Sequence, residues 1–289
     1  MAVAAAVSPA VSTPARRLGV AAKLRRDPDL SFGLLLLAIV AAAALLPGLI
    51  AGQSAFAINV EAALEPPSAA HLFGTDDVGR DVFARVIHGT RITLSICGGA
   101  LLISAAIGGV LGLLSGFLGG RTDMLLGRAV DVVLSFPPII LGIMITGILG
   151  PKTQNLILAL GIVYMPVFFR IARSGAMAEA GLTYVEAARS VGLSEATILR
   201  RHVARNVLPQ ILVQYVILFP LVLQIQAALG FIGLGVQPPT PDWGAILQQG
   251  KDYILLAPWM SAFPGLTILV TALSLMLVGR ALQRRLDRR

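Results

Sequence analysis

The sequence predicts an all-helical integral membrane protein with six spanning helices, and three observations carry that expectation. Hydrophobic residues fill 56% of the 289 positions and charged residues only 13%, with a mean hydropathy of +0.82. A soluble domain of that size could not bury so much apolar surface. The charges are also gathered into islands, leaving charge-free stretches at roughly 31–52, 92–118, 132–150, 154–169, 209–235 and 261–279. About 20 apolar residues cross a bilayer as a helix, and a lone strand would leave its backbone groups unsatisfied in lipid. Finally, with the N-terminus inside, Lys and Arg divide eighteen to the inner segments and five to the outer ones. That asymmetry is a strong positive-inside signal and places both termini in the cytoplasm.

The inner set is Arg16, Arg17, Lys23, Arg25 and Arg26 before the first span, then Arg121 and Arg128, then Arg170, Arg173, Arg189, Arg200, Arg201 and Arg205. It ends with Arg280, Arg284, Arg285, Arg288 and Arg289, while the outer set is Arg80, Arg85, Arg91, Lys152 and Lys251. The net charge of +8 therefore reads as membrane topology, not nucleic-acid binding. Residues 1–14 are small and uncharged with no basic region before them, which is not the pattern of a secretory signal. The expected organisation is a cytoplasmic tail at 1–30, a first span with an outer loop and amphipathic segment at 31–90, a five-helix core at 91–281 and a basic tail at 282–289. Cys97 is the only cysteine, so no intrachain disulfide forms.

In the outer loop, Asp76, Asp77 and Asp81 stand among Arg80 and Arg85 and read as solvated turn and capping residues rather than a metal site. Val82, Phe83, Val86 and Ile87 follow at helical spacing, as in an amphipathic segment lying on the membrane surface or a partner. The second span carries Ser104, Gly108, Gly112, Gly116 and Gly120 at four-residue intervals. Such a stripe lets another helix approach closely, either from this chain or from a second subunit. Pro137-Pro138 and Pro166 are expected to kink or interrupt the third and fourth spans. Asp131 can be neutralised by Arg128 one turn before it. Gln224 and Gln226 in the fifth span are candidates either for lining a pathway or for interhelical hydrogen bonds, and Trp243, Tyr253 and Trp259 fit an outer aromatic belt.

The polar island at 183–209 reads as two short helices broken at Gly192. Thr183 and Glu186 form a capping-box pattern, Ala187 and Ala188 favour helix, Gly192 supplies a left-handed stop, and Ser194 can cap the second helix.

Glu186-Ala187-Ala188 followed by Gly192 resembles the cytoplasmic coupling loop of ABC importer permeases, spanning residues 174–208 here. One departure is that such permeases usually carry Leu-Pro where this chain has Ala204-Arg205, and its only Leu-Pro is Leu208-Pro209. Phe73-Gly74-Thr75-Asp76, then Gly79-Arg80-Asp81, is similar to the C-type permeases of the dipeptide, oligopeptide and nickel branch. The loop from Phe231 through Gly233 and Gly235 to Trp243 is similar to them as well, so the likeness runs from about 71 to 265. It implies the type I importer permease fold in a bacterial inner membrane, paired with a homologous permease as a heterodimer. Two ABC ATPase subunits and an extracytoplasmic substrate-binding protein are the other implied partners. It also implies that Glu186, Ala187, Ala188, Arg189, Gly192 and Leu193 couple to the ATPase. Peptides, nickel complexes and other small solutes are all carried by such permeases.

Chemistry of the chain's own is not expected. No Gly-rich loop ends in Lys-Ser or Lys-Thr, and His71, His88 and His202 are isolated, so neither a cofactor nor a metal is implied. An ion-driven secondary transporter would need a paired carboxylate near the midplane and inverted repeats. An intramembrane enzyme would need a partner for Cys97 or Asp131, and none is evident.

Overall fold

The computed structural model describes residues 28–286, which contain no strand; the tail at 1–27 with its five basic residues, and 287–289 with Arg288 and Arg289, lie outside the described residues. The helices are α1 Pro28–Leu45, α2 Pro47–Ala51, α3 Val82–Leu118, α4 Gly120–Leu134, α5 Pro138–Leu149, α6 Thr153–Ala180, α7 Thr183–Ser190, α8 Glu195–Ile198, α9 Ala204–Phe231, α10 Trp243–Gly250 and α11 Trp259–Leu286. Among the described residues five runs are long and apolar enough to cross a membrane: α1, α3, α6, the run Glu195–Phe231, and α11. The bent pair α4 and α5 makes a sixth if the two halves are one span.

The charge-free windows find the spans but under-read the helices. α3 starts at Val82, not near residue 92, because Asp81 caps it by accepting from the Ala84 N–H at 2.7 Å. The segment expected to lie on a surface is therefore the first turn of a span, with Val82 and Val86 buried inside this chain. The fifth span is likewise continuous from Glu195 through a π turn at Leu199–Val203 into α9, and Pro209 lies inside the helix. The second short helix expected after Gly192 is thus the head of that span. At Pro137-Pro138 the kink becomes a break of 87° between α4 and α5. Pro137 adopts an extended backbone, ψ 134°, as a residue before proline must, and Pro138 opens the next helix. Pro166 by contrast sits within an uninterrupted α6.

The small-residue stripe settles against α6 of the same chain. Ser104 Oγ donates to the Gly161 carbonyl at 2.7 Å. A Cβ on Gly108, Gly112 or Gly116 would overlap the carbonyl oxygens of Met165, Phe169 and Arg173 respectively. Both series advance four residues at a time, so α3 and α6 run parallel and in register. Gly120 does not continue the row: α3 ends at Leu118, the chain turns at Gly119 with φ 62°, and Gly120 opens α4 with open space around it.

Helix directions follow from these contacts. α3 and α6 both run toward the 181–194 loop. α9 returns antiparallel, with Val207 against Gly175 and Tyr215 donating to the Gly98 carbonyl. α11 starts at the far end, where Trp259 Nε1 donates to the Thr75 carbonyl, and finishes with Arg284 beside Asp29 at 3.4 Å. The two ends of the described chain therefore share the face that carries α7.

Candidate functional site

α7 is a two-faced helix held by its surroundings. Val185 and Ala188 are buried against the bundle, whereas Glu186 and Ala187 are exposed. Beneath it the Tyr184 hydroxyl donates to Glu179, and Asn206 Nδ2 donates to Glu179 at 2.9 Å and to Tyr184 at 3.2 Å. Arg189 grips Glu195 with two hydrogen bonds, 2.9 and 3.2 Å, while its guanidinium lies 5.6 Å from the Phe117 ring centroid at the tip of α3. α7 thus touches α3, α6, α8 and α9 through named side chains.

Its two ends are built differently from expectation at the start and as expected at the stop. Leu182 occupies the N-cap and makes no side-chain cap bond, so Thr183 is already helical and the Thr183–Glu186 capping box does not form. At the C-terminus Gly192 takes φ +81°. The Leu193 N–H bonds the Ala188 carbonyl and the Gly192 N–H bonds the Arg189 carbonyl, which is the Schellman arrangement. Ser194 sits at the N-cap of α8, but its hydroxyl meets Thr197 Oγ1 at 2.9 Å and not a backbone N–H.

The loop then presents an outward surface of Glu186 and Ala187 with three apolar residues, Leu182, Val191 and Leu193, which are 46%, 77% and 40% exposed. Of the six residues ascribed to coupling, Glu186, Ala187, Gly192 and Leu193 lie on this surface. Ala188 faces the bundle, and Arg189 is exposed but tied to Glu195. The same end is braced by Arg173, which holds Asp123 with both guanidinium branches while Ser115 Oγ donates to that carboxylate at 2.6 Å. Asp131 pairs across helices with Arg170 at 3.4 Å instead of with Arg128 on its own helix.

The opposite end is fastened by a buried carboxylate that the sequence reading left without a role. Asp242 accepts from Thr93 Oγ1 of α3 at 2.7 Å and from Gln226 Nε2 of α9 at 2.9 Å, and caps α10 through the Ala245 N–H at 3.2 Å. Burial pushes the Asp242 carboxyl above its ordinary range, against the hydrogen bonds that hold it down. Gln226 is therefore an interhelical hydrogen-bonding residue, and Gln224 is exposed on the outer face of α9. Trp243 is fully buried with Nε1 on the Val86 carbonyl at 3.0 Å, so it is a core anchor and not part of an interfacial belt. Asp76 and Asp81 are also buried rather than solvated. Asp76 pairs with Arg80 at 2.7 Å and Arg85 at 2.9 Å, and Asp81 meets His71 Nδ1 at 2.8 Å. Among the described residues no group of three His, Cys, Asp or Glu could hold a metal.

Asp242→Ala is expected to lower the heat tolerance of the detergent-solubilised protein by about 3 kcal/mol, since Thr93, Gln226 and the α10 cap lose one acceptor together. Asp242→Asn keeps an acceptor oxygen without a buried charge and is expected to cost under about 1 kcal/mol. Because the folded carboxyl binds its proton more tightly than the unfolded one, its contribution is present in acid and is lost as pH rises through the folded value. The Asn variant should lose that part of the pH dependence, readable from melting midpoints across mildly acidic pH.

Residues 108–289 match the family model described as binding-protein-dependent transport system inner membrane component. The chain belongs to that family. This inner membrane component is 43% identical over 233 residues to the probable D,D-dipeptide transport system permease protein DdpC of Escherichia coli, covering 80% of this chain and 78% of that one. It is 36% identical over 265 residues to the dipeptide transport system permease protein DppC of Alkalihalophilus pseudofirmus, covering 92% and 87%. Against the glutathione transport system permease protein GsiD of Pectobacterium atrosepticum the identity is 39% over 223 residues, covering 77% and 74%. The crystal structure of an amino acid ABC transporter with histidines superposes with a TM-score of 0.54 at 18% identity, over 70% of this chain and 94% of that one. That likeness establishes the fold.

Proposed function

We propose that this chain is the permease subunit of an ATP-driven importer of short peptides or closely related small solutes, and that α7 is the element its ATPase partner grips. The observation that carries the reading is the division of labour on α7. One face, Val185 and Ala188, is locked into the bundle, and the other offers Glu186, Ala187, Val191 and Leu193 outward. A force applied to the outer face is passed to α3 through Phe117, to α8 through Glu195 and to α9 through Asn206, so the loop cannot move alone. In this reading that end faces the cytoplasm, as the basic residues require.

The pathway forms between this chain and a homologous permease. The apolar residues Ile139, Ile140, Ile143 and Met144 of α5 lack cover from this chain, and Gln224 stands exposed on α9. ATP is hydrolysed in two separate subunits, and an extracytoplasmic binding protein delivers the solute at the Asp242 end. The named functions of the relatives, dipeptide, D,D-dipeptide and glutathione transport, support peptides as the substrate class.

Ala187→Asp tests the grip. Ala187 is exposed on the outer face of α7, so the added charge leaves the fold intact but is unfavourable in an apolar groove. The variant is expected in the membrane at normal abundance, with ATPase subunits lost from the purified complex and ATP-dependent dipeptide uptake reduced at least about tenfold. Undiminished co-purification would remove α7 from the interface. Uptake that survives ATP depletion and collapses with the proton gradient would replace the motor altogether.

A further inference from the structure

Around the corner from α7, the first turns of the fifth span carry a second feature that coupling does not use. Arg200, Arg201 and Arg205 line one open cavity of about 920 Å³ with His202, Leu208 and Ile211. All three arginines are exposed, and among the described residues none makes an ion pair or a side-chain hydrogen bond. The middle of the π turn at Leu199–Val203 lies within this lining, and such wide turns recur at functional sites. So does Ala204-Arg205, where this chain departs from the Leu-Pro of the coupling-loop pattern it resembles.

The cavity does not end at the arginines. It shares Leu208 and Ile211 with a second cavity of about 440 Å³ that continues between α3 and α9, past Ala106 and Val110, to Tyr215. The only side-chain polar group in this second part is the Tyr215 hydroxyl, and it is occupied by the Gly98 carbonyl at 2.9 Å. The whole is one groove with three unpaired guanidinium groups at its mouth and hydrocarbon along its length. From Arg205 to Tyr215 the helix rises about 15 Å, the depth of one leaflet of a hydrocarbon core about 30 Å thick.

We propose that this groove binds an anionic phospholipid, with the phosphate held by Arg200, Arg201 and Arg205 and an acyl chain lying between α3 and α9. Guanidinium forks match phosphate oxygens, and basic pockets between membrane helices on the cytoplasmic side suit anionic headgroups. A free anion would have no use for the apolar floor. An apolar helix of a neighbouring subunit would fill that floor but leave three cations uncompensated.

The test uses the full complex in lipid nanodiscs, with Leu208→Trp as a reporter inside the groove and Leu212→Trp as a second one. The native Trp243 and Trp259 lie at the opposite end and give a common background. Acyl-brominated phosphatidylglycerol is expected to quench the reporter more strongly than brominated phosphatidylcholine at the same mole fraction. Changing all three arginines to glutamine is expected to cut that preference about tenfold or more, each basic residue being worth about fivefold at an anionic surface. Lysine at the three positions should retain most of it. Equal quenching by both lipids overturns the proposal, and so does no quenching at all, which would mean that protein fills the groove. Loss of the preference on adding millimolar inorganic phosphate would assign the arginines to a soluble anion. A glutamine variant that keeps the preference but sheds its ATPase subunits would assign them to a protein contact. Either result also overturns it.

Discussion

Replacing Gly112 by leucine is expected to remove most of the protein from the membrane fraction, the largest loss of any single change considered. α3 and α6 touch backbone to backbone along the glycine row, and a Cβ at Gly112 would overlap the Phe169 carbonyl and meet the Ala172 Cβ at 2.8 Å. Overpacking against side chains typically costs about 1–3 kcal/mol because they can rotate away. A helix carbonyl cannot, so the two helices must part. Parting them also pulls Ser104 from Gly161 and loosens Arg173 from Asp123. A loss of about 3 kcal/mol or more is expected, seen as low membrane abundance and a shifted melting midpoint in detergent. Gly127 of α4 has nothing within contact range, so Gly127→Leu should accumulate normally. Wild-type abundance of the Gly112 variant would show that the close approach does not exist.

Gly192→Val is expected to act in the opposite manner, sparing the fold and ending transport. No atom lies near enough to clash with a Cβ at this position, so the whole penalty is conformational. At φ +81° a β-branched residue is strained by about 2 kcal/mol. The chain escapes by breaking the Leu193-to-Ala188 and Gly192-to-Arg189 hydrogen bonds, which turns Leu193 away from Glu186 and Ala187. Protein level should remain within about twofold of wild type while ATP-dependent uptake into proteoliposomes falls about tenfold or more. Because Gly192 is on the surface, Gly192→Asn should retain most of the activity, asparagine tolerating the left-handed region. Normal uptake by the valine variant would mean that the shape of this turn is not transmitted to the pathway.

How much of this was legible in the sequence depends on the range of the forces involved. Gly192 could be read directly, since a left-handed stop is a property of one residue and its neighbours. The glycine row was legible as a close-packing face, but its partner was not. Met165, Phe169 and Arg173 contribute only their carbonyl oxygens, and no side-chain pattern advertises those. Span limits were misjudged for a definable reason: Arg91 and Arg170 bounded charge-free windows, yet Arg91 sits inside α3 and Arg170 inside α6. Helices run on beyond the hydrocarbon region, and composition records the bilayer, not the helix end. The Pro137-Pro138 break was expected in position, whereas its 87° size is not a property that two proline letters specify.

The residues that sequence reasoning missed are those joined over long separations. Asp242 binds Thr93, 149 positions away, and Gln226, 16 away. The available clue was local: Asp242 precedes Trp243-Gly244-Ala245 as an N-cap should. The placement of Trp243 failed for a related reason. Trp243 near a helix end resembles an interfacial residue by composition, and it is internal because α3 covers its ring at Gly89 and accepts from its Nε1 at the Val86 carbonyl.

α3 is a single rod of 37 residues, about 55 Å long, running unbroken from the Asp76–Arg85 ion pair to Phe117 under Arg189. Yoked to α6 by interlocking carbonyls, it has no joint at which a displacement could be absorbed. Tilting such a beam by about 10° around its midpoint carries each tip about 5 Å, and in opposite senses. In the coupling proposed above, a push on α7 therefore reaches the far tip of α3 undamped and in the opposite sense, so the two membrane surfaces receive one signal instead of two.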